Sequence, residues 1–522
     1  MTVHGHGAPF ARHMRRLACL LPLWLGVAGC SAQPPTATVT IDPSRTYQTI
    51  EAWEANARMW EFDKEANRFN GSWQPIRDQI LEKLIVEGGI TRLRLELRSG
   101  AENPVDYWSK YRAGEISYLD FKSHFYEKIN DNDDPGTLNP AGIQFSELDF
   151  RVENFVLPAI QIARRHGRKL KVNLNYMDFR WTANKGTLSH AHNPAEYAEL
   201  IDATYAHLRQ RYGLVPDLLE VILEPDNTDE WRGRQIGEAM IAVQNRLKER
   251  GIAVRFIAPS TANASAAPRY FDELNSVSGA GRMIAELAYH RYDLLRADAA
   301  LPAIVRRARQ VGAQTAMLEH VDGTIDELMT DLTEADISSW QLFAVATEAK
   351  AGRTRPGYML TVEAPASGRP VIALNRNAAP LAEIFHVVAP GAQRIDSTAD
   401  QDGLRTAAFR NPDGGQVVVV RADASLWQRA LGKLESKFDM AVPGVLSSFP
   451  TGSKVSIKGL TGGNYVVRRR NTLSGDLLIC AVNVARGKAA EVYLRNSDLA
   501  VLHRAGPDEM AAPCPTTQEA WK

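Results

Sequence analysis

Leu218-Leu-Glu-Val-Ile-Leu-Glu-Pro-Asp-Asn227 decides the fold. Its first six residues are a short, mostly apolar run of strand length, and Pro225 stops it. Residues 194–212 before it read as a helix closed by Gly213, and residues 231–250 after it as another helix. A strand between two helices is the repeating piece of a βα chain, and the alternation extends in both directions. Upstream, Ile90-Thr-Arg-Leu-Arg-Leu-Glu-Leu97 reads as a strand, residues 150–166 as a helix stopped by Gly167, and Leu170-Lys-Val-Asn-Leu-Asn175 as a strand. Downstream, strands are expected at 254–258, 285–290, 315–318 and 338–346, with a helix at 301–311. A first strand near 49–53 brings the count to eight. The sequence therefore predicts an α/β fold, a closed (β/α)8 barrel over residues 47–351, more than an open Rossmann sheet. No GxGxxG or P-loop follows any strand, which argues against a nucleotide site.

After about Gly352 helical periodicity fades. Short β-rich runs take over: Val371-Ile-Ala-Leu, Gln416-Val-Val-Val-Val-Arg421, Val455-Ser-Ile, Tyr465-Val-Val and Leu477-Leu-Ile-Cys-Ala-Val482. Turns such as Asn411-Pro-Asp-Gly-Gly415 separate them, which predicts an antiparallel β-sandwich and tail over 352–522. Residues 37–41 are strand-like and are a candidate to join it.

The chain has 522 residues, 44% of them hydrophobic, with 61 Lys+Arg against 61 Asp+Glu. That composition excludes wholesale disorder, and the length calls for two folded domains. Zero net charge argues against nucleic-acid binding by bulk electrostatics. Arg12, Arg15 and Arg16 precede an apolar run, 17–27, too short to span a bilayer, which ends in Val27-Ala28-Gly29-Cys30. This resembles a bacterial lipobox. On that reading residues 1–29 are a signal peptide, Cys30 is lipidated, and residues 30–46 hold a tether and a first sandwich strand. Ser31, rather than Asp, then implies the outer membrane in a Gram-negative cell. An ordinary signal peptide cut nearby is the alternative. No later run is long and apolar enough for a membrane helix. Cys480 and Cys514 are free to pair in an oxidising envelope or to remain thiols.

Residues 99–147 form a long segment after the second strand, rich in aromatics: Tyr107, Trp108, Tyr111, Tyr118, Phe121, Phe125 and Tyr126. At the catalytic face of a barrel it is either a substrate wall or a small helical insertion with its own core. Asp131-Asn-Asp-Asp134 resembles the start of a calcium loop, but Pro135 precedes the expected glycine and Gly142 stands where a bidentate Glu belongs, so the reading is a solvated turn. No HExxH or close Cys/His cluster points to a metal, and no GxSxG to a serine hydrolase.

Two glutamates end predicted strands: Glu224 the fourth, and Glu319, in Thr315-Ala-Met-Leu-Glu-His320, the seventh. The ends of strands four and seven face each other across a barrel mouth, and two opposed carboxylates there suit glycoside hydrolysis. One holds a proton for the leaving group, and the other stays ionised to attack the anomeric carbon.

Here the sequence resembles the retaining glycosidases built on (β/α)8 barrels, most of all glycoside hydrolase family 30. Gly89-Ile-Thr-Arg-Leu-Arg94 is similar to the family's second-strand pattern, which makes Arg94 the support of the nucleophile. Glu224-Pro225 resembles the acid/base element, His290-Arg-Tyr292 the sixth-strand element beside the nucleophile, and Glu319 the nucleophile. The segment 384–395 and the run 404–420 resemble the start of the family's appended sandwich. The clan's asparagine before the acid/base residue, which contacts the sugar 2-hydroxyl, is here Leu223; Asn175 or Asn227 would have to supply that contact. Tyr292 would orient Glu319 and His290 would bind a hydroxyl or sit in the core. Trp53, Trp181 and Trp340 lie near strand ends as sugar platforms or core, with Trp340 favoured. Glu96, Asp178, Asp226 and Asp293 are further polar candidates whose roles stay open.

The expectation is a retaining β-glycosidase acting on a β-linked glycan, without metal or cofactor. It would touch no nucleic acid and meet a membrane only through its lipid anchor. A surface lipoprotein that binds carbohydrate with weakened turnover, and a transglycosylase, are the alternatives.

Overall fold

Arg92-Leu-Arg-Leu-Glu-Leu-Arg98 alternates charge and leucine with a period of two, and all seven residues are buried. Both faces of such a strand must be covered, one by helices and one by a polar interior. The computed structural model describes residues 36–59, 74–293, 296–349, 356–363, 369–422, 453–506 and 509–515. Cys30 and the basic and apolar stretches before it lie outside the described residues.

The first strand, β1 (Thr36–Thr49), belongs to the C-terminal sheet. Eight parallel strands then follow: β2 (Ala52–Met59), β3 (Arg92–Arg98), β4 (Lys171–Met177), β5 (Leu218–Glu220), β6 (Phe256–Thr261), β7 (Ile284–Tyr289), β8 (Gln314–Met317) and β9 (Ile337–Glu348). β9 pairs in parallel with both β8 and β2, so the barrel is closed. The helices are α1 (Arg77–Val86), α2 (Tyr107–Ala113), α3 (Tyr118–Ser123), α4 (Ser146–Arg151), α5 (Leu157–Arg165), α6 (Pro194–Tyr212), α7 (Gly233–Glu249), α8 (Ala267–Asn275), α9 (Arg296–Val311), α10 (Ile325–Glu334) and α11 (Ala378–Phe385). A π-turn, Val152–Val156, joins α4 to α5, so the helix expected at 150–166 is one body with a local irregularity. Among the described residues no helix is long and apolar enough to cross a membrane.

Leu93, Leu95 and Leu97 pack outward into the large core shared with the helices. Inside the barrel, the Arg92 guanidinium bonds Glu286 at 2.7 and 2.9 Å and also pairs with Glu54. Asn173 bridges Glu54 and Glu220, and Ser339 donates to Glu286. Buried charge is tolerated here because each group has partners of opposite sign or hydrogen-bond donors.

Two expectations are corrected. The first barrel strand is not 49–53. Thr49 pairs with Gln393 in the C-terminal sheet, and the barrel strand starts at Ala52. The barrel sheet also does not end at 351. The far end of the 12-residue β9 pairs with β10 (Tyr358–Glu363), and β10 with β11 (Val371–Leu374). Val371-Ile-Ala-Leu is therefore an edge strand of the barrel sheet, because β9 outlasts the barrel and offers a free edge.

Among the described residues the second sheet has nine strands: β1, β12 (Gln393–Ala399), β13 (Leu404–Arg410), β14 (Gln416–Ala422), β15 (Ser453–Lys458), β16 (Gly463–Asn471), β17 (Leu477–Val484), β18 (Ala490–Leu494) and β19 (Asp498–Arg504). All pairings are antiparallel except β1 with β15. The unbroken valines of β14 are buried on both faces. Val417 and Val419 join the barrel's core, and Val418 and Val420 the sandwich's own. Cys480 and Cys514 form a disulfide that fixes residues 509–515 against β17.

Candidate active site

Glu224 follows β5 in the left-handed region, at φ 48 and ψ 61. A non-glycine residue pays about 1–3 kcal/mol there and persists only where its surroundings dictate it. Its N–H donates to the Ser260 carbonyl at 2.9 Å, and its own carbonyl accepts from the Asn227 N–H at 2.8 Å. The resulting turn aims the carboxylate into the barrel mouth. Glu319 follows β8, and oxygens of Glu224 and Glu319 and a ring nitrogen of His290 all lie within 4.8 Å of one another.

Each carboxylate oxygen accepts a hydrogen bond. Arg94 Nη2 donates to Glu319 Oε2, and the Tyr292 hydroxyl to Glu319 Oε1 at 2.9 Å. Asn227 Nδ2 donates to Glu224 Oε2 at 2.8 Å, and His290 Nδ1 lies 3.0 Å from Oε1. The trio could in principle ligate a metal, but an ion would have to displace bonds already made. Burial pushes the Glu319 pKa up, yet Arg94, His290 and Tyr292 outweigh it and hold the carboxyl below its ordinary 4.5. Burial works against charge on His290, but the bond to Glu224 and the charges of both glutamates raise it above 6.5. Burial, then the two glutamates, keep the Tyr292 phenol well above 10, so it remains a donor.

The other expected residues divide. Arg94 and Tyr292 stand on Glu319. His290, fully buried, contacts Glu224 and, at 3.3 Å, Ser260 Oγ. Asn227, expected to reach the sugar, is committed to Glu224. Asn175 faces the barrel interior opposite Glu96 and Glu220, and both ends of its buried amide lack partners. Trp340 is not at the mouth. It is fully buried on the outer face of β9, and its Nε1 donates to Asp331 at 3.0 Å. Strand alternation explains this: Ser339 and Gln341 point inward, so Trp340 points out. Trp53 is also core, stacked on Phe385 at 4.4 Å. Trp181, 52% exposed, does line the site.

The cavity measures about 460 Å³ and includes Arg94, Leu223 and Glu319. Its walls come from the long loop (Tyr118, Lys122, Phe125, Tyr126) and from Phe343 and Tyr358 of β9 and β10. The long segment is thus both wall and insertion. Tyr111, Phe121, Phe125 and Tyr126 pack with Phe179, and Leu223 joins that cluster. Phe343 and Tyr358 were missed because β10 carries no barrel signal. The period-two pattern of β9, had it been phased on Ser339, would have found Phe343. Of the open polar candidates, Glu96 bonds Asn56 and Arg58, and Asp178 bonds Lys128, Ser99 and Trp231. Asp226 accepts from Ala262 and Asn263, and Asp293 from Ser265. All four brace strand ends.

The family model described as the glycosyl hydrolase family 30 beta sandwich domain matches residues 391–424. None of the curated proteins matches the chain. The catalytic domain of GH30 xylanase C from Talaromyces cellulolyticus shares the fold at TM-score 0.61 and 15% identity, covering 90% of this chain and 100% of its own. A GH30 endoxylanase from Clostridium papyrosolvens C71 does so at 0.58 and 15%, with coverage of 90% and 100%. An endo-beta1,6-glucanase does so at 0.55 and 13%, with coverage of 92% and 96%. The barrel and sandwich arrangement is that of the GH30 enzymes, and at these identities the likeness is one of fold.

Proposed function

We propose that this protein is a retaining β-glycoside hydrolase with Glu319 as nucleophile and Glu224 as acid and base. The observation that carries the reading is the pair itself. One oxygen of Glu224 and one of Glu319 lie within 4.8 Å of each other, an approach that fits the roughly 5–5.5 Å carboxyl spacing of retaining enzymes better than the roughly 6.5–9.5 Å of inverting ones. Glu319 attacks the anomeric carbon while the bond to the leaving oxygen breaks and Glu224 gives that oxygen its proton. The ester so formed removes the negative charge at Glu319. Glu224, now ionised, takes a proton from water as the water oxygen attacks the same carbon, and Glu319 leaves as carboxylate. Arg94 and Tyr292 hold the nucleophile ionised and oriented, and Asn227 and His290 hold the acid.

Asn175 and Gln341, with buried unpartnered amides on the interior face, supply sugar contacts. Leu223 gives no hydrogen bond where the clan places an amide, so a polar group other than residue 223 reads the 2-hydroxyl. The fold is shared with xylanases and an endo-beta1,6-glucanase, which makes β-linked xylose and glucose polymers the substrates to try first. The apolar run ending at Cys30 implies a lipid-anchored envelope protein, a location that suits the Cys480–Cys514 disulfide; Cys30→Ala should then abolish labelling by radioactive palmitate in growing cells.

Proton NMR during hydrolysis of a β-glycoside tests the mechanism. The β-anomer should appear first and mutarotate later. First appearance of the α-anomer would mean inversion. Glycan binding with no product would instead favour a binding protein, the reading that Leu223 supports.

A further inference from the structure

Outside the Glu224–Glu319 site, three carboxylates from two segments, the long loop and α6, converge. Glu102 follows the short turn after β3, Asp131 lies in the same long loop, and Glu196 is in the first turn of α6. One oxygen of each lies within 4.8 Å of the other two. Glu102 is 1% and Glu196 7% exposed. Among the described residues no lysine or arginine pairs with any of the three. The one ionisable partner is His190, whose Nε2 lies 2.7 Å from Glu102 Oε2 while its Nδ1 meets the Tyr176 hydroxyl at 2.7 Å. A histidine balances at most one of three charges.

A second observation concerns unmet polar atoms. Glu196 Oε2 and Asp131 Oδ1 are buried without a hydrogen-bond partner, and so is the amide oxygen of Asn130, whose side chain hydrogen-bonds Glu196. Buried acceptors in such number ordinarily have donors or an ion. Gly142 backs the arrangement, because a Cβ there would fall 2.3 Å from Asp131 Cβ. The neighbouring polar side chains behave differently. Asn132 and Asp134 are spent on a local turn, accepting from the Asp134 and Gly136 N–H groups at 2.7 and 3.0 Å. The turn expected at 131–134 forms, with Asp131 Oδ2 accepting from Asn132 Nδ2 at 2.9 Å and from the Asn139 N–H, while Asp131 Oδ1 is buried without a partner.

We propose that Glu102, Asp131 and Glu196, with the Asn130 amide oxygen, bind a calcium ion. All the donors are hard oxygens, three of them anionic and drawn from distant segments, which suits the large and variable calcium shell better than the small octahedral shell of magnesium. His190 holds Glu102 in place through Nε2, its Nδ1 being fixed by Tyr176, as outer partners of metal ligands do. The ion would tie the long loop to α6, and that loop carries Tyr118, Phe125 and Tyr126 of the cavity wall.

Calorimetric titration of the EDTA-stripped, desalted full chain with calcium chloride tests this, alongside magnesium chloride. The wild type should take up one calcium per chain, and 1 mM calcium should raise its melting temperature by about 2 °C or more. Asn130→Ala, which removes a neutral donor, and Glu196→Gln should each weaken calcium binding about 10-fold or more. No calcium uptake with an unchanged melting temperature would overturn the proposal. So would tighter binding of magnesium, or undiminished affinity in Asn130→Ala, which decides the matter if Glu196→Gln does not fold.

Discussion

Arg94 and Glu319 form a closed ion pair in the barrel: Nη2 donates to the carboxylate, and Nη1 to the carbonyl of Leu318, the residue before it, at 3.2 Å. The arginine is fully buried and holds both the side chain and the backbone of the strand end from which Glu319 projects. One residue thus sets the charge and the position of the other.

The first prediction is a pH profile. The Glu319 carboxyl is held below 4.5, so it stays ionised, and its contribution to stability stays present, above that value; both are lost only as pH falls through the lower folded value. The acid limb of kcat/KM should therefore have its midpoint below 4.5. Arg94→Gln should move that limb upward by a unit or more. An unmoved limb would mean that Arg94 does not govern the nucleophile.

Glu224 and Asn227 should separate by leaving group. Glu224→Gln should lower kcat/KM about 10²–10⁴-fold on a poor leaving group such as a second sugar. The loss should be much smaller with an activated aryl glycoside, whose departure needs no proton. Asn227→Ala should show the same dependence in weaker form, because Asn227 acts through Glu224. Equal losses on both substrates would remove Glu224 from the acid role.

Trp340→Phe should cost stability and not affinity. Its indole N–H is one of the donors to the fully buried Asp331, which also bonds Tyr289. Losing it should destabilise the fold by about 1–3 kcal/mol, read from urea unfolding, with KM unchanged. Trp181→Ala, at the cavity rim, should do the reverse: a raised KM and an unchanged unfolding midpoint.

Barrel and sandwich should unfold together through Asp326. This residue of α10 bonds Arg405 of β13 at 2.6 Å and Arg421 of β14 at 2.9 Å. Burial raises its pKa, but the two arginines outweigh that and lower it below 3.8, so its stabilisation is present above that value and fades as pH falls through the folded one. Asp326→Asn should cost about 2–3 kcal/mol at pH 7, less than the 3–5 kcal/mol of a fully buried pair because Asp326 is partly exposed. The difference should shrink as pH falls below 3.8 and through the lower folded value. A pH-independent cost would point to lost packing instead of lost charge.

Much of this was legible in the residues. The apolar runs ending at Glu224 and Glu319 fixed two strand ends, and the spacing between them put those ends on facing sides of the barrel. Arg94 and Tyr292 came from the resemblance to family 30 and not from the strand pattern. The misplaced residues have one cause: a strand pattern locates a residue along the chain before it locates the face. Trp340 and Phe343 lie three residues apart on β9, and parity alone sends one to the core and the other to the cavity. Val371-Ile-Ala-Leu fails differently, because an apolar run of four does not say which sheet will take it. Asn227 shows a third limit. A polar side chain in a turn after Glu224 is equally suited to sugar or to carboxylate, and the turn geometry decides.

The central claim is that Glu319 forms a covalent bond to sugar. Intact-protein mass after incubation with activated 2-deoxy-2-fluoro β-glycosides of xylose and glucose tests it most directly. The account predicts one added glycosyl mass on wild type, mapped by peptide sequencing to Glu319 and absent from Glu319→Gln. An adduct on another residue, or turnover of the parent glycosides with no adduct from any fluorosugar, would contradict it.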